Sequence, residues 1–296
     1  MAFGPRGRMP YRCVMFEALA KSARAAREAR PFAAEPLFGA TGILLALTLI
    51  VTVPAFALDD RVLRGENIWL KPIRFQIALS AYFLTLAYFA RWLPPGMTKG
   101  RVYCGFAHVI VVAAVAEIVW IGGAAAVGVG SHYNLDAPAT AWLYSAMGVA
   151  AVVLTSASLV YGIAVWRAPA WEQNDAVRQA VALGLMLTFA LTVPVAGYLS
   201  AFAPADVKSA GAQVLDAEVI GTVLGWSRPG GGLRTAHFLA THAMHFLPLL
   251  GLVLAFITSA ERARLAIRAG AVTYAALVIA VFAAAIAGER ALTTPA

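Results

Sequence analysis

Seven long apolar runs divide this chain, at about residues 36–58, 75–93, 102–129, 141–166, 180–202, 236–259 and 271–288. At about 1.5 Å per residue, each is long enough to cross about 30 Å of hydrocarbon, the last only barely. Apolar residues fill both faces of each run instead of alternating. Continuous runs suit helices, whereas the strands of a closed barrel alternate. The pattern therefore predicts an all-α fold, a polytopic membrane bundle of about seven transmembrane helices. Connections on one side are short, which predicts antiparallel neighbours. No internal repeat of the kind found in many transporters is legible along the chain.

The composition agrees. Of 296 residues, 13% are charged and 61% are hydrophobic, and the mean hydropathy is +0.75; a soluble domain carries about 25% charged residues. The positions of the basic residues then set the orientation. Arg6, Arg8, Arg12, Lys21, Arg24, Arg27 and Arg30 precede the first run, and Arg91, Lys99 and Arg101 follow the second. Arg167 and Arg178 follow the fourth, and Arg262, Arg264 and Arg268 follow the sixth. These residues, 15 of the 23 Lys and Arg, fall on one side, which the positive-inside rule makes cytoplasmic. The N-terminus is then inside and the C-terminus outside.

The net charge of +8 needs no nucleic acid to explain it; topology and the attraction of anionic lipid suffice. Phe16, Leu19, Ala20, Ala23 and Ala26 fit one face of a helix lying on the inner surface. Three regions follow: a basic cytoplasmic segment over 1–35, a membrane domain over 36–290, and an outer loop or lid within it over 203–235. Cys13 and Cys104 both fall on the reducing side, so no disulfide is expected.

The remaining polar residues gather toward the outer face. The sixth run opens with Arg234, His237, Thr241, His242 and His245 on one arc of a helix. Pro248 follows, and it predicts a kink with a freed Met244 carbonyl beside His245. His132 leaves the third run at the same face, and Glu117 lies deeper in that run, where a carboxylate must be protonated, paired or metal-bound. Lys71 and Arg74 point two cations at the outer interface, with Glu66 and Glu117 as candidate partners. The stretch 214–226 has an apolar face and too few residues to span, which suits a lid ending at Trp226.

Two classes of function are open. In the first, a membrane enzyme acts on a lipophilic substrate at the outer leaflet, with His132, His237, His242 and Glu117 as catalytic candidates. A metal would take His132, His237, His242 and His245; the cofactor is either Zn, which needs three protein ligands and a water, or haem b between two histidines. Lys71, Arg74, Arg234, Asn134 and Trp226 would receive the substrate or a lipid headgroup. In the second class the chain is not an enzyme but a transporter, or an accessory subunit of a membrane complex. Interhelical hydrogen bonding is the structural alternative for each histidine. The expected partners are the lipid bilayer and a lipophilic small molecule.

The segment Glu66-Asn67-Ile68-Trp69-Leu70-Lys71-Pro72, then Gly130-Ser131-His132-Tyr133-Asn134, then Leu233-Arg234 with His237 and His242, resembles a group of bacterial multi-spanning inner-membrane proteins with no assigned activity. The resemblance covers the second to the sixth helix. It implies an inner-membrane location, an acidic residue in the group at the position of Gly232, and glutamine at that of His245. Under it the weight moves from His245 to His132, His237 and His242.

The orientation is testable with a reporter fused after Ala296. An alkaline phosphatase fusion there is expected to be active, since that enzyme folds only outside; a fluorescent cytoplasmic fusion would reverse the assignment.

Overall fold

The computed structural model describes residues 31–63, 65–132, 134, 137–168, 175–201 and 232–293, with side chains to 287. Seven helices carry the fold: α1 (Pro36–Leu58), α2 (Leu70–Phe89), α3 (Arg101–Val127), α4 (Pro138–Arg167), α5 (Asp175–Ala201), α6 (Leu233–Ile257) and α7 (Ala260–Thr293). All seven are long and apolar enough to cross a membrane. The protein is therefore an integral, multi-pass, all-α membrane protein. Its only sheet among the described residues is a short antiparallel hairpin, β1 (Val62–Leu63) with β2 (Glu66–Asn67), joining α1 to α2.

The helix ends follow local chemistry. Pro36 and Pro138 open α1 and α4, where the missing N–H has no intrahelical partner to lose. Gly128 closes α3 at a left-handed φ of 77°. Two boundaries differ from the hydropathy pattern. Lys71, Pro72 and Arg74 lie inside the first turns of α2, because Pro is accommodated there and both cations sit at the membrane edge. α7 begins at Ala260, so Arg262, Arg264 and Arg268 form its first turns and not a loop. Hydropathy misses these turns because charged residues still make good helix. Asp175 at the start of α5 holds Arg264 at 3.4 Å and Arg178 at 2.5 Å. Arg178 also donates to the Val165 and Ala168 carbonyls at the end of α4.

Packing is closest where glycine lets helices approach. A Cβ on Gly251 of α6 would lie 2.4 Å from the Ala180 Cβ of α5, and one on Gly184 of α5 would lie 2.8 Å from the Ala243 carbonyl oxygen. The Thr188 hydroxyl accepts from the Met244 N–H at 2.9 Å and donates to the Gly184 carbonyl at 3.0 Å. Small residues and hydroxyls of this kind are how helices associate in lipid, where apolar burial alone gives no drive. α1 and α2 repeat the device: Gly42 lies against Leu84, Ser80 donates to the Gly42 carbonyl at 2.8 Å, and Thr52 donates to Gln76 at 2.6 Å. α6 continues as helix through Pro248 to Ile257. Large side chains such as Ile50, Val119 and Phe256 face outward, as lipid contact requires.

Gly251→Val should destabilise the protein by about 1–3 kcal/mol, because the added side chain has no room against Ala180. Gly105→Ala meets nothing within 4 Å and should not lower stability. Thermal unfolding in detergent separates the two.

Candidate functional site

The outer connection between α1 and α2 is a fastened scaffold. Asp59 accepts from the Arg61 guanidinium at 2.7 Å and from the Trp69 indole N–H at 2.9 Å. These bonds hold the Asp59 carboxyl below the usual carboxylate range. Arg61 also donates to the Ala126 carbonyl at the end of α3. Asn67 donates to the Asp59 carbonyl at 2.6 Å and accepts from the Trp69 N–H at 2.9 Å. The distinctive Glu66-Asn67-Ile68-Trp69 segment therefore fixes a turn. Arg74 pairs with Glu66 at 2.9 Å, one of the two partnerships expected for it. That bond ties its charge to the hairpin.

Next to this scaffold lies a polar group in the outer half of the bundle. Glu117 of α3 is only 5% exposed, and its Oε1 has no hydrogen-bond partner among the described residues. Lys71 of α2 lies within electrostatic reach of both Glu117 and His132. The Lys71 ammonium also lies 5.9 Å from the centre of the Phe75 ring. The His132 ring packs on Phe75 at 5.7 Å and edge-on to Tyr144 at 6.0 Å, and its Nδ1 lies 3.2 Å from the Ser131 hydroxyl. Burial, reinforced by Lys71, pushes the His132 pKa down to about 3, so the ring is neutral. The Trp120 indole donates to the Ser131 carbonyl at 2.8 Å and pins this turn to α3. Asn134 donates to the Gly130 carbonyl at 3.4 Å and so stabilises its own loop.

The α6 histidines make a second group. The rings of His242 and His245 are 5.1 Å apart. His242 stacks on Phe238 at 4.0 Å, and its Nδ1 lies 2.9 Å from the Phe238 carbonyl and 3.1 Å from the Thr241 hydroxyl. His245 Nε2 meets the Thr85 hydroxyl of α2 at 3.0 Å, while its Nδ1 is buried without a partner among the described residues. His237 is half-buried one turn above, within electrostatic reach of His242. Arg234 is half-buried in the first turn of α6. Trp226 and the lid over 214–226 lie outside the described residues.

No group of three His, Cys, Asp or Glu able to hold a metal forms among the described residues. His132 is held by Phe75, Tyr144 and Ser131, His242 is turned to its own helix, and His245 is turned to α2. The described residues therefore do not assemble a three-ligand Zn site.

A third polar cluster was not foreseen. At the inner end, Glu35 is buried before α1 and accepts from the Tyr103 hydroxyl of α3 at 2.5 Å, which lies 2.5 Å from the Tyr161 hydroxyl of α4. Each of these residues looks ordinary in the sequence; the one signal was an acid at the edge of the first apolar run. Comparison of the chain with protein-family models, curated proteins and solved structures finds no match.

Burial raises the Glu35 pKa above its ordinary 4.5, against the bond from Tyr103. The folded protein then keeps a proton that the unfolded chain releases, so this group's contribution falls as pH rises from 4.5 through the folded value. Glu35→Gln keeps an acceptor for Tyr103 and removes the charge. It should melt above the wild type at about pH 8, with the difference closing by about pH 4; equal melting curves across that range would remove the buried acid from the account.

Proposed function

We propose that this protein is a solute-binding membrane protein of the transporter class, with an outer site at Glu117, Lys71 and His132. One observation carries the reading: a carboxylate 5% exposed inside a membrane helix, with one oxygen unmatched among the described residues. Such a group is costly in hydrocarbon, and where it occurs it marks an ion, proton or solute path. The unmatched oxygen favours a ligand that supplies a hydrogen-bond donor. Lys71 adds a cation, and neutral His132 adds a ring nitrogen able to accept or donate. Arg234 and the α6 histidines extend the polar surface toward the same face. The binding reading is preferred because the unmatched Glu117 oxygen calls for a hydrogen-bond donor whether or not a reaction follows. The group resemblance, with its inner-membrane location, is kept as part of this proposal.

The test is access. In a background with Cys13 and Cys104 replaced by Ser, Glu117→Cys should react with a membrane-impermeant thiol reagent added outside. Val119→Cys, 66% exposed on the lipid side of the same helix, should not. An unreactive Glu117→Cys variant that retains wild-type melting would remove the outer site.

A further inference from the structure

Four buried positions of α2 coincide with buried positions of α6 at one spacing, whereas Leu86 and Phe89 fall on the exposed Phe246 and Leu249. Gln76 and Ala236, Ser80 and Ala240, Phe83 and Ala243, Ala87 and Leu247 are all buried, each pair separated by the 160 residues that also separate Thr85 from His245. Arg74 and Arg234, in the first turns of the two helices, have the same spacing. Three of the eight buried positions of α3 also fall on buried positions of α7, Tyr103 on Ala263, Ala107 on Ile267 and Ala125 on Ala285, whereas Glu117 falls on Leu277, 50% exposed.

The first helices correspond too. α1 and α5 each carry Thr-Val-Pro near the outer end, Thr52-Val53-Pro54 and Thr192-Val193-Pro194, with both threonines buried. Aligned there, Gly39, Thr41, Gly42 and Leu45 of α1 fall on Gln179, Val181, Ala182 and Leu185 of α5, all buried. The shorter separation of these helices is taken up by the connection to the next one, residues 59–69 in the first half against 202–232 in the second. In each set the three helices touch one another, and α4 joins the sets by packing on both α3 and α5.

We propose that α1–α3 and α5–α7 are two copies of one three-helix unit, and that the seam between α2 and α6, where Thr85 meets His245, is a solute passage opened in turn to each face of the membrane. Because α4 adds one crossing, both units start at the same face and run parallel. Parallel repeats about an axis along the membrane normal place the substrate site near the midplane between them. Thr85 and His245 are corresponding residues of the two units in direct contact, as positions beside such an axis must be. Both lie well inside their helices. The unmatched Nδ1 of His245, with His242 and Thr241 one turn away, gives this point spare hydrogen-bonding capacity, which suits a small polar solute. The passage rests on the transporter-class reading but not on Glu117.

In the same cysteine-free background, His245→Cys and Thr85→Cys are made singly and exposed to a charged, impermeant methanethiosulfonate in right-side-out and in inside-out vesicles. Both variants should be labelled from both faces. Val253→Cys, 47% exposed on α6 away from the seam, should be labelled from neither. Labelling from one face only, or from neither, in variants that keep wild-type melting would overturn the passage. If His245→Cys does not fold, Thr85→Cys decides alone. A reactive Glu117→Cys with one-sided seam labelling would sink the passage and leave the outer site. The reverse pattern would remove the outer site and leave the passage.

Discussion

Hydrocarbon offers no hydrogen bonds, so each polar group inside this bundle must find its partner on another helix or in its own. That constraint decides which helices lie side by side. Thr188 serves the Met244 N–H and so holds α5 to α6, Ser80 and Thr52 hold α2 to α1, and Tyr82 donates to the Leu154 carbonyl while accepting from the Ser158 N–H, which holds α2 to α4. The glycines at 42, 184 and 251 matter because they bring backbones close enough for these short hydroxyl bonds to form. Each such bond is modest, about 0.6 kcal/mol on average in a membrane. Their number and placement, more than their strength, select one arrangement.

Against that background, polar groups that lack partners stand out. Satisfied ones such as Thr52 and Ser80 are explained by packing. The Thr192 and Thr235 hydroxyls are unmatched among the described residues, but Glu117 Oε1 and His245 Nδ1 are the two such atoms on titratable groups. Both lie on helices that face α2: Glu117 within the field of Lys71, His245 against Thr85. α2 thus runs from an outer polar group to an inner one, with Phe75 and Tyr82 as aromatic contacts between. Its sequence shows this, since its membrane-spanning stretch is the least apolar of the seven. It has traded apolar surface for contacts.

Helix number, order and approximate ends were legible from the sequence, because a span in lipid must be long, apolar and helical, and few sequences meet all three conditions. The errors came where charged residues belong to helices, at Arg74 and at Arg262–Arg268, since hydropathy reads charge and not backbone conformation. The site was legible in outline only. Helical spacing placed His237, His242 and His245 on one arc, but it carries no information on which neighbour each ring meets. His245 met Thr85 and His242 met its own backbone, so the arc did not become a ligand set. Asp59 drew no notice as an acid outside the runs, yet it fastens Arg61 and Trp69. Glu35 was equally plain, and its partners Tyr103 and Tyr161 lie far away in the chain.

The repeat escaped notice for a physical reason. The two units share a set of buried positions, not residues: Ser80 corresponds to Ala240 and Thr85 to His245, so identity is low. Burial is set by the fold, and lipid-facing positions accept any apolar side chain, so sequence drifts faster than register. The departures between the units are then informative. Where one unit has Tyr82, spent on α4, the other has His242, turned to its own helix; α4 has no counterpart, and the residue that would have bonded to it is released. The polar histidines of α6 thus sit where the second unit lacks the helix that absorbs the polarity of the first. An asymmetric set of polar groups beside the seam gives the two units different contacts with one solute, so a solute bound there is held mainly from the α6 side.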